Sequence, residues 1–288
     1  MRPSGNLGHP AESPVFAARL DERMDSRTRA SSPTVVRLVR DSFPDPPALD
    51  TAVSHAILRG VSEGTQPQTL RIHRPGAIVA FGPLDRLSPD YGRAVDAAHA
   101  RGFGAVQRLA GGRAAVFHEQ TIAFSWAIPD SQPRLHIERR FEEVSSIIVT
   151  ALRDLGVDAR IGEIPGEYCP GEHSVNASGK RKLMGVGQRI LLHAAHVGGV
   201  VVVGQSDRVR DVLIPVYEAL DLEWDPATAG SVEDEVPGIE WDDAGEAILR
   251  RFADSYEMVE ESLRPEILDR AHDLQAMHEV RVGPDLFK

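Results

Sequence analysis

The chain predicts an α/β or α+β domain over about residues 34–222, followed by a short helical C-terminal extension. Three patterns carry that expectation: apolar residues at helical spacing in several stretches, strict period-two alternation between them, and Gly- and Pro-rich punctuation elsewhere. Ala48 to Arg59 places Ala52, Val53, Ala56 and Ile57 on one helical face. Thr69 to Phe81 breaks into short apolar runs around Pro75 and Gly76, which reads as a strand pair. Ser88 followed by Pro89 offers a hydroxyl N-cap with proline at the first helical position, and the stripe Ala94, Val95, Ala98 runs until Gly102 stops it.

Between Gly104 and Ile128 the period changes. Ala114 to Phe117 is a short apolar run, and Ile122, Phe124, Trp126 and Ile128 alternate with smaller residues, which predicts a hairpin. Arg139 to Leu155 returns to helical spacing through Phe141, Val144, Ile148 and Leu152, with Gly156 as its stop, and should be the longest core helix. Residues 162–179 are dense in Gly, Pro and Ser and read as a loop, after which Lys182 to Val186 and Val197 to Val203 read as strands. Residues 223–243 read as an acidic linker, and residues 244–288 as an extension of two amphipathic helices, Gly245 to Met258 and Arg264 to Met277. Residues 1–33, rich in Ser, Pro, Arg and Ala, read as a flexible leader without the apolar stretch of a secretory signal.

A net charge of −11 argues against broad binding to nucleic acid, which needs a concentrated basic surface. No run of about 18 apolar residues exists to span a bilayer, so a membrane location is not expected. The lone cysteine, Cys169, cannot form an intrachain disulfide, and a cytoplasmic location is the expectation. Of 32 basic residues only Lys180, Lys182 and Lys288 are lysine, and two of these share one short segment.

Three segments could carry chemistry. In Gln107 to His118, the pair Gly111-Gly112 lets backbone N–H groups approach a ligand, while Arg108 and Arg113 can bind a carboxylate, carbonyl or phosphate; a hairpin turn explains the glycines equally well. In Gly179 to Arg189, Lys182 enters an apolar strand and could point its ammonium into a cleft, or be a solvated strand residue. In Glu167 to Ser174, Cys169 becomes nucleophilic if Lys182 or His173 lowers its pKa, although a lone cysteine is more often inert. The histidines, His118, His173, His193 and His196 among them, show no zinc spacing, and no metal site is expected.

Taken in order, these segments resemble the catalytic domain of the biotin and lipoate protein ligase superfamily, over about Asp50 to Leu222. The resemblance rests on an Arg-x-x-Gly-Gly segment, Arg108 to Gly112, and a Gly-x-x-Lys-x-x-Gly segment, Gly179 to Gly185. Within the superfamily, Cys169-Pro170-Gly171 is most similar to the loop of the octanoyltransferase and lipoyl amidotransferase branch. The resemblance implies a mixed-sheet fold and transfer of an octanoyl or lipoyl group to a lysine of a lipoyl carrier domain. It implies Cys169 as nucleophile, Lys182 as acyl-positioning lysine, and Arg108, Gly111, Gly112, Arg113, His118 and Gly185 around the acyl or nucleotide site, with His173 as a candidate base. Val116, Ile122, Phe124 and Met184 would line the acyl slot.

Implied partners are an acyl carrier protein or a lipoylated donor and a recipient lipoyl domain, with no nucleic acid or membrane. Transfer would require no cofactor; a ligase acting through an acyl-adenylate would use ATP and Mg. Arg113 stands where many members have a third glycine, a departure that leans toward transfer without adenylation, and His173 and Ser174 stand where many have tyrosine and aspartate. An ATP-dependent ligase and a non-catalytic lipoyl-binding module are the alternatives.

Overall fold

The computed structural model describes residues 33–282, so the leader expected over 1–33 lies outside the described residues apart from Pro33. An eight-stranded mixed sheet forms the backbone of the fold, in the order β11 (Tyr256–Glu260), β1 (Thr34–Val39), β2 (Thr69–His73), β6 (Thr121–Pro129), β10 (Ala194–Val202), β9 (Arg181–Ile190), β8 (Val175–Ala177) and β7 (Ala159–Ile161). β1 runs parallel to both β2 and β11, and the other pairings are antiparallel. A second sheet of three strands orders β4 (Gly104–Gln107), β3 (Ile78–Phe81) and β5 (Ala115–Phe117).

Helices cover these sheets with the faces their apolar spacing dictates. The helix α1 (Leu49–Ser62) buries Ala52, Val53, Ala56 and Ile57, as its periodicity predicts. The short helix α2 (Tyr91–Ala100) packs on the three-stranded sheet through Tyr91, Ala94, Val95 and Ala98. It starts two residues later than Ser88-Pro89 suggests, because Ser88 offers its carbonyl to Tyr91 N–H (3.1 Å) and not its hydroxyl as a cap. The longest helix is indeed the one over Arg139 to Leu155, α3 (Ile137–Asp154), whose Val144, Ile148 and Leu152 sit in the main core. Burial of each such side chain contributes about 1.5–3 kcal/mol.

Three expectations need correction. The hairpin expected between Gly104 and Ile128 does not form, because β5 pairs with β3 in the small sheet while β6 pairs with β2 and β10 in the large one. Residues 223–243 are not a free linker: Gly230 N–H donates to Lys182 O (3.1 Å), Ala229 bridges Lys182 in parallel, and Val232 is fully buried in the main core. The expected helix over Gly245 to Met258 is instead α5 (Trp241–Ala253), which ends before the strand β11. Its amphipathic pattern is real, but Tyr256–Glu260 pairs with Thr34–Val39 from the other end of the chain, and long-range strand pairing overrides local periodicity. Of the expected helical extension, only α6 (Pro265–Gln275) remains as a peripheral helix, packed on α1 through Ile267, Ala271 and Leu274. One helix was not read from the sequence at all, α4 (Ser206–Ala219), which contains Pro215. Among the described residues, no helix is long and apolar enough to cross a membrane.

Candidate active site

The site is organised by an ammonium taken out of water. Lys182, near the start of β9, is 1% exposed, and a buried charge is tolerated only with a full set of partners. Its Nζ donates to Glu167 Oε1 (2.8 Å), Tyr168 O (3.0 Å) and Cys169 O (2.7 Å), which occupies all three N–H groups. Glu167 is equally enclosed, and it also accepts from Ser174 Oγ (2.7 Å), Gly171 N–H (3.2 Å) and Ile164 N–H (3.1 Å). One ion pair therefore fixes the 164–174 loop onto β9, an interior strand of the sheet.

Cys169 stands on that loop in a left-handed conformation, with φ of +42°. Its backbone N–H donates to Tyr217 Oη (2.9 Å), and the Tyr217 hydroxyl donates to Ala114 O (3.0 Å), so α4 braces the cysteine against the three-stranded sheet. Its Sγ receives the Arg113 backbone N–H (3.3 Å) and Arg108 Nη1 (3.5 Å). Burial pushes the thiol pKa up, but the charges of Arg108 and Lys182 and these two hydrogen bonds outweigh it, holding the pKa below that of an ordinary cysteine. The thiol is therefore more readily ionised than an ordinary cysteine.

A test follows from the sign of that shift. Thiolate is the reactive form, so alkylation by iodoacetamide accelerates as pH rises through the thiol pKa. Arg108→Met is expected to move the inflection of that profile to higher pH and to slow alkylation at neutral pH. An unchanged inflection would remove Arg108 from the activation of Cys169.

Cys169 lines a cavity of about 360 Å³. Arg108, Gly111, Gly112, Cys169, Lys182 and Gly185 all line it, so six of the residues singled out from sequence meet at one place. Gly112 has φ of +112°, and a Cβ there would lie 2.6 Å from Arg108 Nη1 and 3.0 Å from Cys169 Sγ; the glycine is what lets the arginine and the thiol approach each other. Arg113 contributes its backbone N–H to the sulfur while its guanidinium turns away to Asp85 (3.4 Å).

Other expected roles do not survive the geometry. His118 lines neither this cavity nor the one adjoining it, because Phe117 faces both and the next residue of an extended chain points the opposite way. His118 is fully buried, its Nδ1 accepts from Gln120 N–H (3.2 Å), and burial followed by the charge of Arg208 lowers its pKa to about 4. His173 does not sit by the thiol: its Nε2 is 3.1 Å from Glu138 Oε2, and its ring stacks on Phe141 at 4.9 Å. Val116, Ile122 and Met184 are packed into the two cores, and the apolar wall of the cavity comes from Phe117, Ile137, Phe141, Val186 and Ile190. Phe124 lines the adjoining cavity instead. Lys182 makes no hydrogen bond to Sγ among the described contacts; its donors are spent on Glu167 and the loop carbonyls.

Glu167 and Tyr217 carry no role in the sequence reading. Glu167 could have been sought there, since a lone lysine entering an apolar strand requires a counter-charge; Tyr217 gives no such signal.

Comparison with known proteins decides the family. The lipoyl protein ligase A/B catalytic domain matches residues 46–253 of the chain. The chain belongs to this family. Among curated relatives, a lipoyl-[GcvH]:protein N-lipoyltransferase of Listeria monocytogenes is 27% identical over 172 residues, covering 58% of this chain. The chain spans 62% of that relative's length. An octanoyltransferase LipM of Kyrpidia tusciae is 30% identical, over 65% of this chain and 79% of that protein. Among solved structures, lipoate-protein ligase A bound with ATP superposes with a TM-score of 0.70 at 20% identity, covering 84% of this chain and 95% of the other. The mixed-sheet fold expected of the lipoyl ligase family is the fold observed.

Proposed function

We propose that this family member transfers an octanoyl or lipoyl group to a lysine of a lipoyl carrier domain through a thioester on Cys169. The observation that carries this reading is the sulfur itself, held by Arg113 N–H and Arg108 at the wall of a largely apolar cavity, with its pKa lowered. Similarity to relatives named as octanoyl and lipoyl transferases supports it.

In the first half-reaction the thiolate attacks the carbonyl of a carrier-borne thioester; the new C–S bond forms and the carrier thiolate departs. In the second, the amine of a recipient lysine attacks the acyl-enzyme, the C–N bond forms, Cys169 thiolate leaves, and the ammonium loses its proton to water. The Arg113 backbone N–H and the Arg108 guanidinium, which both reach the sulfur, are the donors placed to meet a developing oxyanion. Lys182 acts by holding the loop carbonyls and by its positive charge. The acyl chain lies against Phe117, Ile137 and Val186, at about 0.8 kcal/mol per buried methylene.

Intact-mass analysis after incubation with an octanoylated carrier protein and no ATP tests the reading. A gain of one octanoyl group, discharged by a recipient lipoyl domain, is expected. Modification of the recipient only when free octanoic acid and ATP are supplied would instead make the chain a ligase.

A further inference from the structure

The strand β4 is an edge of the three-stranded sheet, and an edge strand leaves a row of backbone groups unpaired. The segment just beyond α6 covers it: Val106 and Glu279 form an antiparallel bridge, and Gln107 N–H donates to His278 O (2.8 Å). This segment lies outside residues 46–253, the part of the chain that matches the family. The His278 ring turns back on the same strand, its Nδ1 lying 2.9 Å from Gln107 O. Its Nε2 lies 3.0 Å from Nδ1 of His55, in α1, whose own Nε2 is 3.2 Å from Arg59 Nε. Both rings are buried.

One assignment of protons satisfies the whole line. A guanidinium can only donate, so Arg59 gives its N–H to His55 Nε2, and the His55 proton sits on Nδ1. His55 Nδ1–H then donates to His278 Nε2, which leaves the His278 proton on Nδ1, aimed at a carbonyl that can only accept. Burial, and then the neighbouring His278 and Arg59, lowers the His55 pKa to about 3, and burial lowers that of His278, so both rings are neutral near pH 7 as this assignment requires. The line ends on the peptide unit that joins Gln107 to Arg108. His278 holds its carbonyl and Phe81 O holds its N–H (3.0 Å), so the backbone from which Arg108 departs is pinned on both sides. Arg108 depends on that placement. Its Nη1 donates to Arg113 O (2.7 Å) and reaches Cys169 Sγ at 3.5 Å, a contact long enough that a small displacement loses it.

We propose that His278, fixed by His55, is a positioning residue for Arg108, so that the C-terminal extension takes part in activating Cys169. It takes from the acyl-transfer reading only that Cys169 is the reactive group, and its test needs no acyl transfer.

Two substitutions separate the two contacts of the ring. His278→Asn places an amide N–H where Nδ1 lies and loses the bond to His55, whereas His278→Gln reaches His55 and supplies no donor at the Nδ1 position. Each leaves one buried polar group unpaired, so thermal unfolding should shift down by similar amounts in both. Iodoacetamide alkylation tells them apart: His278→Gln should react at Cys169 about threefold more slowly than the native chain at neutral pH, with the inflection of its pH profile moved up, and His278→Asn should match the native chain. His278→Leu, which has the shape of asparagine without the donor, should behave as His278→Gln does, and either of these two serves if the other does not fold. Native rates in the Gln and Leu variants, or an Asn variant slowed as much as they are, would overturn the proposal.

Discussion

Cys169→Ala is expected to abolish the acyl-enzyme and to lower acyl transfer by at least about 10⁴-fold, the scale on which removing a covalent nucleophile acts. The argument is local. The sulfur receives Arg113 N–H and Arg108 Nη1, while the backbone of the same residue is fixed independently by Tyr217 and Lys182. Alanine therefore removes the nucleophile and leaves the anchors of the loop in place, and the variant should unfold within a few degrees of the native chain. Single-turnover assays followed by intact mass give the rate, and thermal unfolding monitors the fold. A folded variant that still transferred octanoyl from the carrier at near-native rate would remove Cys169 from the chemistry.

The largest structural effect belongs to the ion pair beneath it. Glu167→Ala strands the Lys182 ammonium in the interior and frees the donors at Ile164, Gly171 and Ser174. Breaking a buried pair from one side costs about 3–5 kcal/mol, since the surviving charge keeps its desolvation penalty and loses its partner. For a domain of this size that corresponds to a fall in Tm of roughly 10 °C. Combining Glu167→Ala with Lys182→Met should restore part of the loss, because no charge is then left unpaired, even though acylation remains impaired by the disordered loop. Denaturant unfolding of the single and double variants measures this directly; a single variant within about 1 kcal/mol of the native chain would mean that solvent already reaches the pair.

How much was legible beforehand follows from the range over which each signal acts. The helices α1 and α3 were readable because their burial is written at i, i+3 and i+4, and the αL-type stop at Gly156 (φ of +96°) is a local requirement. The strand β6 was readable because its large apolar residues alternate with small ones at period two, although both of its faces are buried. In the site, Arg108, Gly111, Gly112, Cys169, Lys182 and Gly185 were all nameable, because unusual residue types at short spacing are a property of the sequence. The partners of those residues were not. His173 and His118 were drawn toward the site by nearness in sequence, but extended strands send adjacent residues to opposite sides and a loop can turn a ring onto a neighbouring helix.

The sequence by itself thus determined the elements with short periods, the family, and the inventory of reactive groups. Only the tertiary structure decided that residues 256–260 complete the main sheet beside the first strand, that Tyr217 braces Cys169 from a helix 48 residues away in sequence, and that Lys182 bonds to Glu167 and the loop carbonyls while acting on the sulfur through its charge alone. Each of these is a long-range pairing whose energy comes from excluding water around groups far apart in the chain, and no local pattern of residues encodes which two will meet.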